Sequence, residues 1–169
     1  MRFRPMLIVA AVSCAAVLPA PGRDDNPFVT VTRQALEKAV EKGDTEAMVE
    51  LGERALSARD GLQDLPAAVA WFRQAAEKGN AFAMAYLGDM HRDGIGVNKD
   101  HQQALDWYRK SLDGGCARAN AGMGSMYANG YGVAQDDREA VRWFSDHLSG
   151  KRGPGQKDGQ TNDVGGHYA

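Results

Sequence analysis

Apolar residues along this chain recur with the spacing i, i+3, i+4, i+7 and i+8 in three separate windows. The first holds Ala68, Trp71, Phe72, Ala75 and Ala76, and the second Ala104, Trp107, Tyr108, Ser111 and Leu112. The third holds Ala140, Trp143, Phe144, His147 and Leu148. That spacing gathers the five positions on one face of a helix, so each window predicts an amphipathic helix whose stripe, tryptophan included, is buried. Ala35, Leu36, Ala39 and Val40 fit the same columns upstream. Between the windows a second set predicts partner helices: Ala47, Leu51 and Gly52, then Ala83, Leu87 and Gly88, then Ala119, Met123 and Gly124.

The windows are copies of one unit. Trp71, Trp107 and Trp143 stand 36 residues apart, and the same interval relates Gly52, Gly88 and Gly124, as well as Gly43, Gly79 and Gly115. Asp64, Asp100 and Asp136 keep that register, and so do Ala68, Ala104 and Ala140. A sustained period of this length is the mark of a stacked repeat. The boundaries agree. Asp100 with Gln103 and Asp136 with Glu139 have the relation of a capping box, and Asp64 is followed by Pro66 in a first helical turn. Gly79 and Gly115 sit where a helix stops in a left-handed cap. A glycine inside a helix costs about 1 kcal/mol relative to alanine. The column of Gly52, Gly88 and Gly124 therefore predicts a close approach between the helices of each pair. The pattern predicts an all-α chain of about three and a half helix pairs, opened by a half repeat.

The stretch AMAYLGDMHRDGIGVNKDHQQALDWYRKSLDGG from Ala83 to Gly115 resembles the Sel1-like repeat, a relative of the tetratricopeptide repeat with a longer glycine-containing loop. So does ARANAGMGSMYANGYGVAQDDREAVRWF from Ala117 to Phe144. Residues 44–79 depart from it where ARDGLQDLP replaces the glycine loop, and residues 31–43 match in part. The resemblance implies a right-handed superhelical α-solenoid of antiparallel helix pairs used as a protein–protein interaction scaffold, of the kind that serves envelope signalling, exopolysaccharide secretion or host contact. Cysteine-rich members of that family have been discussed as penicillin-binding or hydrolysing enzymes. This chain lacks their repeated cysteine pairs, so that role does not carry over.

Composition places the rest. Arg2 and Arg4 precede an apolar stretch from Met6 to Leu18, followed by Pro19 and Ala20. This is the layout of a signal peptide, and the 13 residues of its apolar stretch fall short of the roughly 18 a membrane-spanning helix needs. The expected division is residues 1–20 as signal peptide, 21–30 as linker, 31–148 as solenoid and 149–169 as a flexible glycine-rich tail. A periplasmic or secreted location follows, with cleavage after Ala16 and a lipid anchor on Cys14 as alternatives. Loss of residues 1–20 leaves 18 Lys and Arg against 22 Asp and Glu, a net charge of −4. That balance offers no footprint for nucleic acid. Cys116 then stands alone, so no internal disulfide is expected.

Catalytic, cofactor and metal residues are not predicted. Gly94-Ile95-Gly96 and Gly130-Tyr131-Gly132 follow helices rather than strands, which suits turns better than phosphate cradles. His91 and His147 fall in packing columns. The informative columns lie on the other face of the partner helices, where Glu46, Glu50 and Glu53 give way to Phe82, Tyr86 and Asp89, and these to Arg118, Gly122 and Ser125. Packing columns repeat while these vary, as a groove specialised by position requires. An acidic patch beside two aromatics suits a protein or peptide partner with an apolar anchor and a basic flank. The partner-binding set is thus Glu46, Glu50, Glu53, Phe82, Tyr86, Asp89 and Arg118. The alternative function is an accessory or small hydrolytic enzyme of the envelope, which would need polar groups converging in a closed pocket.

Overall fold

A computed structural model describes residues 27–58 and 62–150, with side chains from Thr32 onward. The predicted signal peptide, Cys14 and all of the predicted tail after Gly150 lie outside the described residues. Seven α-helices follow one another: α1 (Pro27–Glu41), α2 (Thr45–Ser57), α3 (Leu65–Glu77), α4 (Ala81–Asp93), α5 (His101–Asp113), α6 (Arg118–Asn129) and α7 (Asp137–Leu148). No strand occurs among the described residues. Helices α2 and α3, α4 and α5, and α6 and α7 form pairs. The pairs stack through α3 on α4 and α5 on α6, and α1 packs on α2 as the expected half repeat. Helix α1 starts at Pro27, four residues before the predicted solenoid boundary. Proline suits a first helical turn because its missing N–H has no intrahelical partner there.

The aspartate column caps each second helix. The Asp64 carboxylate accepts from Ala67 N at 2.9 Å, Asp100 from Gln102 N and Gln103 N at 2.9 and 3.0 Å, and Asp136 from Arg138 N and Glu139 N at 2.9 and 3.0 Å. The return arm of a capping box is not formed. Each cap N–H instead donates back across the loop: Asp64 to the Ala55 carbonyl, Asp100 to that of His91 and Asp136 to that of Tyr127, at 2.9, 2.8 and 3.0 Å. Gln103 is left to donate to its own cap's carboxylate and Glu139 to pair with Arg142. These three equivalent bonds fix where each second helix starts relative to the end of the first.

The first helices end on a left-handed residue. Gly94 and Gly130 hold it at φ 75° and 67°, and in the departing copy Ala58 is forced into it at φ 54°. Gly79 and Gly115 are left-handed just past α3 and α5, as predicted.

The helical glycines explain the pairing. A Cβ on Gly52 would lie 2.7 Å from the Phe72 ring, one on Gly88 2.5 Å from Tyr108 and one on Gly124 2.8 Å from Phe144. Each pair is closed by an aromatic ring lying flat where a side chain is missing. Phe72 and Tyr108 are accordingly 0% and 1% exposed. In the first two pairs the tryptophan one residue earlier is not the core residue the column suggested. Trp71 and Trp107 are only partly buried and pack at the margin of the core around Phe72, while Trp143 is buried. In those two pairs the reason is angular: the aromatic column points at the glycine, and its neighbour, about 100° round the helix, reaches the rim. There the Lys110 ammonium lies 4.6 Å from the Trp107 ring centroid.

Candidate functional site

The first helices α2, α4 and α6 carry the predicted binding columns, and α4 also contacts α6 directly. Four of the seven residues meet. The Tyr86 hydroxyl donates to Glu53 Oε1 at 2.6 Å, joining α4 to α2. One face of the Tyr86 ring stacks on Phe72 at 4.6 Å and 10°, and the Arg118 guanidinium lies 4.1 Å from the ring centroid. Arg118 Nη2 also donates to Asp89 Oδ2 at 3.1 Å, joining α6 to α4. Asp89 Oδ1 accepts from the Tyr108 hydroxyl at 2.8 Å, and Arg92 Nη1 donates to the same hydroxyl oxygen at 3.1 Å. A chain of polar contacts therefore crosses three repeats on one face.

Electrostatics follow from that geometry. Burial, the bond to Glu53 and the nearby Asp89 push the Tyr86 hydroxyl up to about 12, so it stays protonated and donates. Burial, together with Asp89, raises Tyr108 further still.

The remaining three are placed apart. Glu50 pairs with Arg54 at 2.9 Å, and Arg54 reaches Thr32 of α1. Glu46 is exposed in the first turn of α2. Phe82, one turn before Tyr86, is 57% exposed. Gly122, read from the sequence as lining the groove, is instead buried, because a Cβ there would lie 2.3 Å from the Tyr108 ring. Glycine in this column lets α6 close onto the Tyr108 ring of α5, whereas Tyr86 in the same column of α4 stacks its ring between α4 and α3. Sequence reasoning missed Arg92, Tyr108 and Phe72. Arg92 had a signal, since its column reads Leu56, Arg92 and Ala128 and varies like the others.

Elsewhere, Arg73, His91, Val97, Lys99 and Gln103 line an open cleft of about 740 Å³ beside the Gly94–Asp100 loop. Its glycines serve the turn, Gly94 and Gly96 having φ of 75° and 68°. His91 is 5% exposed, and burial and then Arg73 lower its pKa from 6.5. Among the described residues no three His, Cys, Asp or Glu side chains gather as a metal site, and no helix is long and apolar enough to cross a membrane.

The Sel1 repeat family model matches residues 45–80, 81–116 and 117–145. Each match takes in one helix pair, the third ending within α7. The crystal structure of a Sel1 repeat protein from Oxalobacter formigenes is similar at a TM-score of 0.64 and 32% identity, covering 72% of this chain and 48% of that one. A second is a protective antigen present in uropathogenic Escherichia coli strains displaying an SLR fold, at a TM-score of 0.62 and 37% identity over 69% of this chain and 25% of that one. The chain thus spans about half of the first protein and a quarter of the second. Helicobacter pylori cysteine rich protein B shares the fold at a TM-score of 0.51 and 23% identity, over 70% of this chain and 90% of that one. Among curated proteins none matches this chain.

Proposed function

The chain belongs to the Sel1 repeat family, and on that premise we propose that it is an exported, non-catalytic adaptor holding a protein or peptide partner on its first-helix face. Repeats of this family mediate protein–protein contacts, and the finer reading rests on one observation. Phe82 stands 57% exposed beside a polar array, Glu53, Tyr86, Arg118 and Asp89, that is already fixed by internal bonds. An exposed aromatic on a preorganised polar rim loses little entropy on binding and removes much apolar area from water, the usual composition of a hot spot. The acidic Glu46 on α2 adds a negative flank, which suits a partner with a basic segment next to an apolar anchor. A periplasmic or secreted setting is supported by the apolar segment after Arg2 and Arg4.

The test is replacement of Phe82 by serine in the full-length chain. The expected outcome is an unchanged melting temperature with partner capture weakened by about 2 kcal/mol or more. Unchanged capture by a folded variant would place binding elsewhere.

A further inference from the structure

The three second helices are alike in sequence and unlike in exposure. In α3, Val69, Phe72 and Ala76 are 6%, 0% and 5% exposed, and in α5, Leu105, Tyr108 and Leu112 are 0%, 1% and 4% exposed. The same columns of α7, Val141, Phe144 and Leu148, are 66%, 38% and 86% exposed. What covers α3 and α5 is the first helix of the next repeat, α4 and α6 respectively. On α4 the residues buried in the core around Phe72 are Ala83, Leu87 and Met90, and Tyr86 stacks on Phe72 itself. Phe72 therefore has Gly52 on one side and Tyr86 on the other. Phe144 has Gly124 on one side and retains considerable exposure.

In sequence, the residues after α7 do not repeat the apolar columns of α4. Carried on by the 36-residue interval, the columns of Ala83, Tyr86, Leu87 and Met90 reach Gly155, Asp158, Gly159 and Asn162, none of which brings an apolar side chain larger than hydrogen. A second copy cannot lend its α4 either, because that helix is already committed to Phe72 and Tyr108.

We infer that the α7 flank formed by Val141, Phe144 and Leu148 is a docking surface for an amphipathic helix of another protein. The helix it fits carries alanine, an aromatic three residues later, leucine or methionine at the fourth and methionine at the seventh. The alanine allows close approach, the aromatic stacks on Phe144 as Tyr86 does on Phe72, and the two longer side chains cover Val141 and Leu148. Complementarity is specified by the molecule itself, since Val141 and Phe144 are the same residue types as Val69 and Phe72. This end surface is distinct from the first-helix face around Phe82.

The probe is a helix-stabilised, fluorescent peptide of residues 80–94, added to the full chain and followed by anisotropy. Saturable one-to-one binding is expected, at least tenfold weaker for the chain carrying Val141→Asp and Leu148→Asp. Both sites are exposed, so that variant should melt where the parent does. A peptide with Leu87→Asp and Met90→Asp should not bind. Absence of binding overturns the inference, as does equal binding to parent and variant chains. So does self-association of the chain abolished by Leu148→Asp, which would make the flank an interface between copies. Phe82→Ser serves as the control that separates the two surfaces, and it should leave peptide binding unchanged.

Discussion

Replacing Gly122 by alanine should destabilise the protein, although a helical glycine ordinarily gains about 1 kcal/mol from that change. A Cβ at this position falls 2.3 Å from Tyr108 Cε1 and 2.4 Å from Cζ. Carbon atoms in contact prefer about 3.5–4.0 Å, so the ring would have to retreat by more than 1 Å. It has nowhere to go. On its other side a Cβ at Gly88 would lie 2.5 Å away, and the hydroxyl is held by Asp89 and Arg92 at 2.8 and 3.1 Å. Overpacking costs about 1–3 kcal/mol, and disturbing a hydrogen bond to a charged carboxylate adds about 1.5–3. Against the propensity gain, a net loss of about 2 kcal/mol is expected. Urea unfolding followed by circular dichroism measures it. In a Tyr108→Leu background the clash disappears and Gly122→Ala should become neutral or stabilising, giving a coupling of about 2–3 kcal/mol in a double-mutant cycle. A stabilising single substitution, or a coupling under about 0.5 kcal/mol, would refute the sandwiching of this ring between two first helices.

Four further outcomes are expected. Phe72→Ala should cost about 3–5 kcal/mol and Trp107→Ala clearly less, since only the first ring is fully buried; thermal melts rank them. Tyr86→Ser should lower the melting temperature through loss of its stack and its bond to Glu53, while Phe82→Ser should not; calorimetry separates the pair. Ala58→Gly should stabilise by about 1 kcal/mol by relieving a left-handed backbone, read as a shift in the urea midpoint. His91 has a pKa below 6.5 in the folded protein, so the unfolded chain binds the extra proton and stability should fall as pH drops from about 6.5 toward the folded value; His91→Tyr, with the residue of the Tyr127 column, should flatten that window.

Much of the fold was legible because its signals are local. A capping aspartate bonds to amides two or three residues on, so Asp64, Asp100 and Asp136 marked helix starts without knowledge of the tertiary structure. The glycine column likewise announced a close approach. What touches it was not legible, because the aromatic that fills the gap comes from the following helix and a repeat interval does not rank two adjacent aromatic columns by burial. Trp107 and Tyr108 were therefore placed in one buried stripe, and of the two only Tyr108 is fully buried. The binding face was harder. Varying columns located Glu53, Tyr86, Asp89 and Arg118, but the contacts joining them span 29 to 33 residues and cross repeat boundaries. Gly122 was assigned to the groove because a glycine in a varying column looks like an empty position, when it is the gap that admits the Tyr108 ring.

The central claim is that the first-helix face around Phe82 holds a partner, and site-specific photocrosslinking in the cells that make the protein tests it most directly. A photoreactive side chain would stand at Phe82 in one protein and at the exposed second-helix residue Arg109 in another. The expected result is one adduct of defined mass from position 82 that is absent from position 109. No adduct at 82, or the same adducts from both positions, would contradict the claim.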